Sequence, residues 1–569
     1  MSAAPVRGVI ALLAAQALAF GVMLGLLVVP ANALFLNAYG SKWLPATYIA
    51  IAVFGSGASA LIAWAARRVR LVQVATASLA TLAVLYAASW LILVAGGVWV
   101  SALLLVLFPI ALQMGFVFIG GQAGRLLDVR QLKEQFPRIV TGFSVGFLLG
   151  GLLGIPLLAL LGSTEHLLLA TTAAQLVFLG LLLATERRFP EMRAAPSESS
   201  PTVARPSARL LFASSLVLLL LAYQILSAMG SQLLDFLFFN RAQARYSGND
   251  LTRFLSGFTA LLNLADILFL ALVAGPLMRR FGLRLGLVLN PAVVAALLAI
   301  MALVVAGPGA ATFGFFALAG VARTSDLVLT DGTTRTSVNA SFQVIPVGER
   351  LAVQAVVEGI GVPVAIGATG AVLLAMNVVH LGAGAVVVFG VLLSVIWTVT
   401  GMAMYRSYTR ALAAEMRRGS LVSPGFEVGE EDAALHALLG SDDARDVRLG
   451  LDLLGGVAST PSAGGALRKA SDHPDPEVRV RALVRLAALG DSAATAAAIA
   501  LAGDLARSAD PVERRAAASA LESRGVINLD SRLLIALLDD GDPAVRAAAL
   551  HAVGPEDAVE PEVIRRVVA

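Results

Sequence analysis

Runs of about twenty apolar residues recur twelve times before residue 405. They lie near 9–30, 44–65, 71–94, 98–121, 139–161, 166–184, 210–239, 251–275, 285–305, 309–330, 352–376 and 382–403. About twenty residues is what an α-helix needs to cross the hydrocarbon core of a bilayer, so the pattern predicts an all-α polytopic membrane bundle. The most polar break, residues 187–209, includes Pro196-Ser197-Glu198-Ser199-Ser200-Pro201 and reads as a linker. It divides the spans six and six, giving expected halves 1–186 and 210–405. The first run, from Arg7 to Pro30, ends beside Ala31-Asn32-Ala33, a stretch that could pass for a signal-peptidase site. A signal core is only about 7 to 15 residues, so an uncleaved first helix is the better reading.

Past residue 405 the pattern changes. A juxtamembrane linker is expected over 406–430, and charged residues become frequent from Glu427. Asp475-Pro476-Glu477-Val478-Arg479, Asp510-Pro511-Val512-Glu513-Arg514-Arg515 and Asp542-Pro543-Ala544-Val545-Arg546 each open an alanine- and leucine-rich helix. Asp443-Ala444-Arg445-Asp446-Val447-Arg448 is a weaker copy. Aspartate caps such a helix and proline suits its first turn. Taking Arg448, Arg479, Arg515 and Arg546 as equivalent, the spacings are 31, 36 and 31 residues, which fits one helix pair per repeat. The apolar stripe of each pair must stack on its neighbour. Residues 431–569 therefore resemble HEAT repeats, an α-solenoid, and a protein partner is expected on that domain.

Composition sharpens the membrane reading. Hydrophobic residues make up 58% of the 569, charged residues 14%, and no cysteine occurs; mean hydropathy is +0.82. Thiolate metal sites and cysteine nucleophiles are excluded, and five scattered histidines suggest no metal site. The basic residues fall mostly in alternate loops: Arg67, Arg68 and Arg70; Arg125, Arg130, Lys133 and Arg138; Arg187 to Arg209; Arg279, Arg280 and Arg284; Arg335 and Arg350. By the positive-inside rule both termini are cytoplasmic, in a bacterial inner membrane. Lys42 and the group Arg241, Arg245 and Arg253 are the exceptions. Placed this way, the positive charge orients the chain in a bilayer and gives no reason to expect nucleic acid.

No cofactor, metal or enzyme chemistry is expected. Gly142-Phe143-Ser144-Val145-Gly146 matches a nucleophile-elbow spacing, but it lies in an apolar run with Gly150, Gly151 and Gly154, where small residues serve helix packing. No phosphate-cradling ATPase loop is present. Ionisable residues inside spans are the informative ones, because a charge at mid-bilayer costs at least about 2.5 kcal/mol. Asp266 follows Asn263 by one turn in the eighth span, and Asp235 follows Gln232 in the seventh. Arg323 and Asp326 lie one turn apart in the tenth, and Glu358 lies in the eleventh; these three either form one buried ion network or snorkel to the cytoplasmic interface. Gln122 and other polar residues, among them Gln16, Asn32, Asn37, Gln113, Gln175, Gln224 and Asn290, suit a wet cavity, and Pro156, Pro291 and Pro363 suit broken or hinged spans.

Two six-helix halves joined by a cytoplasmic linker is the layout of the major facilitator architecture, with substrate bound between the halves. Gly275-Pro276-Leu277-Met278-Arg279-Arg280-Phe281-Gly282 resembles its short basic loop. More specifically, Asp331-Gly332-Thr333-Thr334-Arg335, Phe342-Gln343-Val344-Ile345-Pro346-Val347-Gly348-Glu349-Arg350 and Gln354-Ala355-Val356-Val357-Glu358-Gly359 resemble the loop between spans ten and eleven of the ATP/ADP translocase family of nucleotide transporters. Gln131 to Pro137 resembles the matching loop between spans four and five. The resemblance implies a cytoplasmic rim of Arg125, Asp331, Arg335, Glu349 and Arg350, and a nucleotide or other organic anion as solute. One departure stands out: the lysines are Lys42, Lys133 and Lys469, none inside a span.

The leading expectation is a secondary transporter working by alternating access. Asp235, Asp266, Asn263, Arg323, Asp326, Glu358 and Gln122 would line its pathway, with Arg323 attracting an anion and Asp266 as a proton or cation site. The alternative is a membrane-anchored interaction platform or sensor whose bundle no longer transports.

Overall fold

The computed structural model describes residues 3–66, 68–127, 129–189, 214–345, 347–417, 438–454, 464–521 and 531–551. Every element among them is helical. The chain divides into two compact units, Met1–Tyr405 and Arg406–Ala569.

The first unit begins with α1 (Ala3–Tyr39), α2 (Leu44–Ala66), α3 (Leu71–Val94), α4 (Val100–Leu126), α5 (Val129–Leu161) and α6 (Leu167–Arg188). After a segment outside the described residues, which holds most of the expected linker, come α7 (Ser215–Arg245), α8 (Gly248–Phe269), α9 (Gly275–Ala306) and α10 (Phe313–Leu329). The last are α11 (Arg335–Gln343), α12 (Val347–Val356), α13 (Val362–Val378) and α14 (Ala383–Arg417). Among the described residues, eleven helical stretches are long and apolar enough to cross a membrane, and one of them, Gly248–Ala306, has 59 residues. At about 1.5 Å per residue that is roughly three bilayer cores. It turns back at Gly282, where φ is 62° and ψ −166°, a conformation that a side chain with a Cβ resists. The stretch therefore supplies two crossings, and the bundle has twelve, six in each half. The face at which α1 ends, with Gly40, Gly162 and Gly248, is here the far face; the opposite one is the near face.

Several helices outrun the apolar pattern. α1 continues through Pro30 to Tyr39, and α5 begins ten residues before position 139. Asp331 to Gln343, expected as a loop, is helical through α11, and 406–417, expected as linker, continues α14. The last stretch is rich in alanine, leucine, methionine and arginine and has no glycine or proline, so nothing in it stops a helix. Pro291 lies inside α9 and Pro156 inside α5, neither of which they end. Apart from Gly282, the departures from α geometry inside the described spans come at three π-helical segments, Leu270–Ala274, Thr330–Thr334 and Val357–Gly361. All three lie in the second half, and such segments concentrate at functional sites.

The glycines of the elbow-like motif pack helices. A Cβ on Gly142 would sit 2.7 Å from the Ala14 carbonyl oxygen, and one on Gly150 would sit 2.6 Å from that of Val22 and 2.9 Å from Gly25 Cα. Gly146 abuts Leu18 in the same way. This gives α1 and α5 close backbone contact, the source of helix association where lipid is as apolar as leucine.

The second unit contains the end of α14, then α15 (Ala444–Leu454), α16 (Gly464–Ala470), α17 (Pro476–Ala488), α18 (Ser492–Ala506), α19 (Pro511–Leu521), α20 (Ser531–Leu538) and α21 (Pro543–His551). The three helices that open with Asp-Pro stack in succession, α17 on α19 and α19 on α21. Asp475 Oδ1 accepts from the amides of Glu477 and Val478, Asp510 Oδ1 from Val512, and Asp542 Oδ1 from Ala544. The arginine four residues after each aspartate donates back to the preceding turn. Arg479 reaches the His473 and Pro474 carbonyls, Arg514 those of Ser508 and Ala509, and Arg546 those of Asp540 and Gly541. The equivalent residue in the third copy is thus Arg514, not Arg515. Arg448 of the weaker copy does something else: it bridges to Asp475 at 3.0 Å and Glu477 at 2.9 Å.

Candidate functional site

α7 and α10 run antiparallel and share two polar rungs. Arg323 Nε lies 2.6 Å from Asp235 Oδ1. One turn nearer the near face, Ser231 Oγ donates to Asp326 Oδ2 at 2.6 Å. The positions 231 and 235 on α7, and 323 and 326 on α10, are each one helical turn apart, so one face of each helix supplies both rungs. The second rung continues into α9: Asn290 Nδ2 donates to Asp326 Oδ1 at 3.1 Å and to Thr330 Oγ1 at 2.9 Å.

Three aromatic rings complete the surroundings of Arg323. Its guanidinium carbon is 5.0 Å from the Phe238 centroid, 4.5 Å from Phe239 and 5.9 Å from Phe258, distances at which ring faces attract a cation. The first half reaches the same place through Tyr48 of α2, which is buried and lies within electrostatic reach of Asp235 and Arg323. The ion pair therefore sits at the seam between the halves, and about a third of the Asp235 side chain remains accessible.

A third group lies toward the near face. The π segments Leu270–Ala274 and Thr330–Thr334 touch, and Gly332 is seated against the Phe269 ring and Ala274. Asp331 pairs with Arg335 at 2.9 Å across one of these segments. Asp266, one turn before the other, is only 4% exposed and its Oδ1 has no hydrogen-bond partner among the described residues. It lies within electrostatic reach of Asp331 and Arg335.

The expected network of Arg323, Asp326 and Glu358 does not form. Arg323 faces Asp235, Asp326 faces Ser231 and Asn290, and Glu358 is exposed and accepts from Gln354, one turn back on its own helix, at 3.3 Å. A one-turn spacing fixes which helix face a residue is on but not which neighbour meets it. Asn263 donates to the Thr259 carbonyl of its own helix. Gln122 is buried, and neither polar atom of its amide has a partner among the described residues. At the expected rim Arg125 and Glu349 are exposed. Arg350 donates to the Gln343 side chain and to the Gln343 and Ile345 carbonyls, and so ties α12 to the end of α11.

The seam itself is closed at the far face. Asn37 and Gly248 exchange two hydrogen bonds, amide to carbonyl at 3.4 Å and backbone N–H to side chain at 3.0 Å. Gln243 donates to the Leu36 carbonyl and accepts from Ser41 N–H. Asn240 donates to Ser41, Asn249 to the Gly162 carbonyl and Asn377 to the Lys42 carbonyl, while Thr164 bonds Asn249 and Thr252. No charged side chain takes part in these nine bonds. Below them the halves meet through small residues: a Cβ on Gly370 of α13 would be 2.5 Å from the Pro45 carbonyl of α2, and one on Gly151 of α5 would be 3.0 Å from Ala260 N of α8. Most of these latch residues escaped the sequence reading, because an asparagine or glutamine at a helix end looks like ordinary loop polarity.

No protein-family model and no curated protein matches the chain. Among solved structures, a crystal structure of the nucleoside transporter NupG is similar, with a TM-score of 0.53 and 14% identity over 70% of this chain and 99% of that chain. Likeness at that identity is a likeness of fold: the first unit is a multi-pass helical bundle similar to the one in that structure.

Proposed function

We propose that the chain is a secondary transporter that works by alternating access, the two six-helix halves rocking about the seam. The supporting observation is the placement of an ion pair, Asp235 with Arg323, beside Tyr48 of the opposite half, under a far face whose latch bonds among the described residues are all neutral. Charge inside a span is costly and belongs where it meets a solute path or a partner, and a neutral latch worth about 1 kcal/mol per bond can open reversibly. The basic loops of the near face support a cytoplasmic placement of that face, in a bacterial inner membrane. The likeness to ATP/ADP translocases suggests a nucleotide or other organic anion as solute, whereas the name of the structural neighbour suggests a nucleoside.

The second unit, read as HEAT repeats, is proposed to bind a cytoplasmic protein or to regulate the bundle. Its stacked Asp-Pro helices favour that reading, since such stacks present extended binding faces. The rocking motion itself can be tested in one experiment. The chain has no cysteine, so Asn37→Cys with Asn249→Cys places the only thiols across the latch. Short thiol crosslinking is expected to abolish solute uptake by proteoliposomes; uptake that persists in fully crosslinked protein would contradict rocking at this seam.

A further inference from the structure

The charge inside the second half bears on what the proposed pathway can take. Among the described residues, Arg323 is the one basic side chain in the middle of a crossing, ten residues after the start of α10. Its charge is matched by Asp235 at 2.6 Å and capped by Phe238, Phe239 and Phe258. A phosphate or carboxylate is best held by a guanidinium whose charge is not already paired, and this one faces a carboxylate through its Nε. Arg335, which is more exposed, is paired with Asp331 one turn back.

The remaining groups are carboxyl and amide groups with no free cation among them. Asp326 is 5% exposed and is met by a hydroxyl and an amide, with no arginine or lysine within ion-pair distance among the described residues. Asp266 is equally buried, with Oδ1 unpartnered. Asn290, fully buried, spends its N–H groups on Asp326 and Thr330 and leaves its Oδ1 without a partner. Along this ladder four carboxyl groups, Asp235, Asp266, Asp326 and Asp331, stand against two guanidinium groups, Arg323 and Arg335. An anion brought here would meet surplus acceptors and carboxylates in a medium that screens poorly.

We propose that the solute is a hydrogen-bond donor of neutral or positive charge, and that nucleotides and other organic anions are refused. This rests on the transporter reading and selects within it. Like-charge juxtaposition is an effective means of rejecting wrong ligands.

The test is uptake by proteoliposomes of the purified full chain, with labelled uridine and choline as neutral and cationic probes and labelled ATP and malate as anions. Uridine or choline is expected to enter at least about tenfold faster than either anion. Faster entry of ATP or malate would overturn the inference and leave the transporter standing. No uptake of any probe by folded protein would count against transport itself and remove the inference with it. Asp235→Asn frees Arg323, and Asp326→Asn removes a carboxyl that has no basic partner, so the second variant keeps the test open where the first fails to fold. Each is expected to raise the ratio of anion to neutral uptake at least about threefold; an unchanged ratio in both would contradict the proposal.

Discussion

Asp235 and Arg323 close a 2.6 Å ion pair between α7 and α10, at the place where α2 of the other half presents Tyr48. The pair is mostly enclosed, with side-chain exposures of 33% and 21%, so removing one partner leaves the other charge poorly compensated. Asp235→Asn is expected to destabilise the bundle by about 3 kcal/mol. Adding Arg323→Gln should recover a large part of that loss. Thermal unfolding in detergent of the two single variants and the double variant measures the coupling; additive losses would show that the two side chains do not depend on each other.

Asn37 exchanges two hydrogen bonds with Gly248, and Gln243 makes two more with Leu36 and Ser41. Asn37→Ala with Gln243→Ala therefore removes four of the nine latch bonds. At about 1 kcal/mol each, the loss is enough to shift a two-state balance by a factor of about 100 or more. Alkylation of a cysteine placed at Thr164, 3% exposed in the closed seam, should accelerate in this variant. An unchanged rate would mean that the latch does not hold the far face shut.

The contact of α1 with α5 depends on bare backbone. Gly150→Val would drive side-chain atoms into the Val22 carbonyl, 2.6 Å from the Cβ position. Overpacking of this kind costs about 1–3 kcal/mol, so lowered thermal stability is expected. Gly55→Ala, where a Cβ meets nothing within 4 Å, should be tolerated and serves as the control.

How much of this was legible in the sequence follows from where each signal lies. Twelve crossings, the six-and-six division and the Asp-Pro helices are written in runs of residues, and runs survive any detail of packing. The ladder is different. Arg323, Asp326, Asp235 and Asp266 stood out because charge in an apolar run is conspicuous, yet their partners did not: Ser231 and Thr330 are small hydroxyls common in any span. Register between α7 and α10 decides that Arg323 meets Asp235 and not Glu358, and register is a tertiary property. The π segments left no trace, since Leu270–Ala274 is as apolar as its flanks. In the repeats, the choice between Arg514 and Arg515 needed the bonds from Arg514 to Ser508 and Ala509.

Outside the membrane, Asp540 is held below the usual carboxylate range, first by its hydrogen bond from Arg514. The pair is close, 2.7 Å from Arg514 Nε to Asp540 Oδ2. A carboxyl whose folded value is depressed adds stability above its unfolded value of about 3.9 and loses it as pH falls through the folded value. Hydrogen exchange of α19 to α21 in the full chain should thus be insensitive to this pair's titration near neutral pH and should speed up, beyond its intrinsic pH dependence, below about pH 4. Asp540→Asn should show reduced protection already at pH 7, with a smaller further loss in acid. Equal protection in both proteins at pH 7 would remove the role assigned to the pair.

Reciprocal motion of the two faces is the most direct test of alternating access. Spin labels at Ala38→Cys and Ala244→Cys report the far face, and labels at Arg188→Cys and Arg280→Cys report the near face; all four positions are exposed, and the chain contributes no other thiol. Pulsed dipolar distances in lipid, recorded with the latch intact and with Asn37→Ala and Gln243→Ala added, should shift in opposite directions. The far-face distance should lengthen as the near-face distance shortens. Distances that stay fixed at both faces, or lengthen together, would contradict a carrier that rocks about this seam.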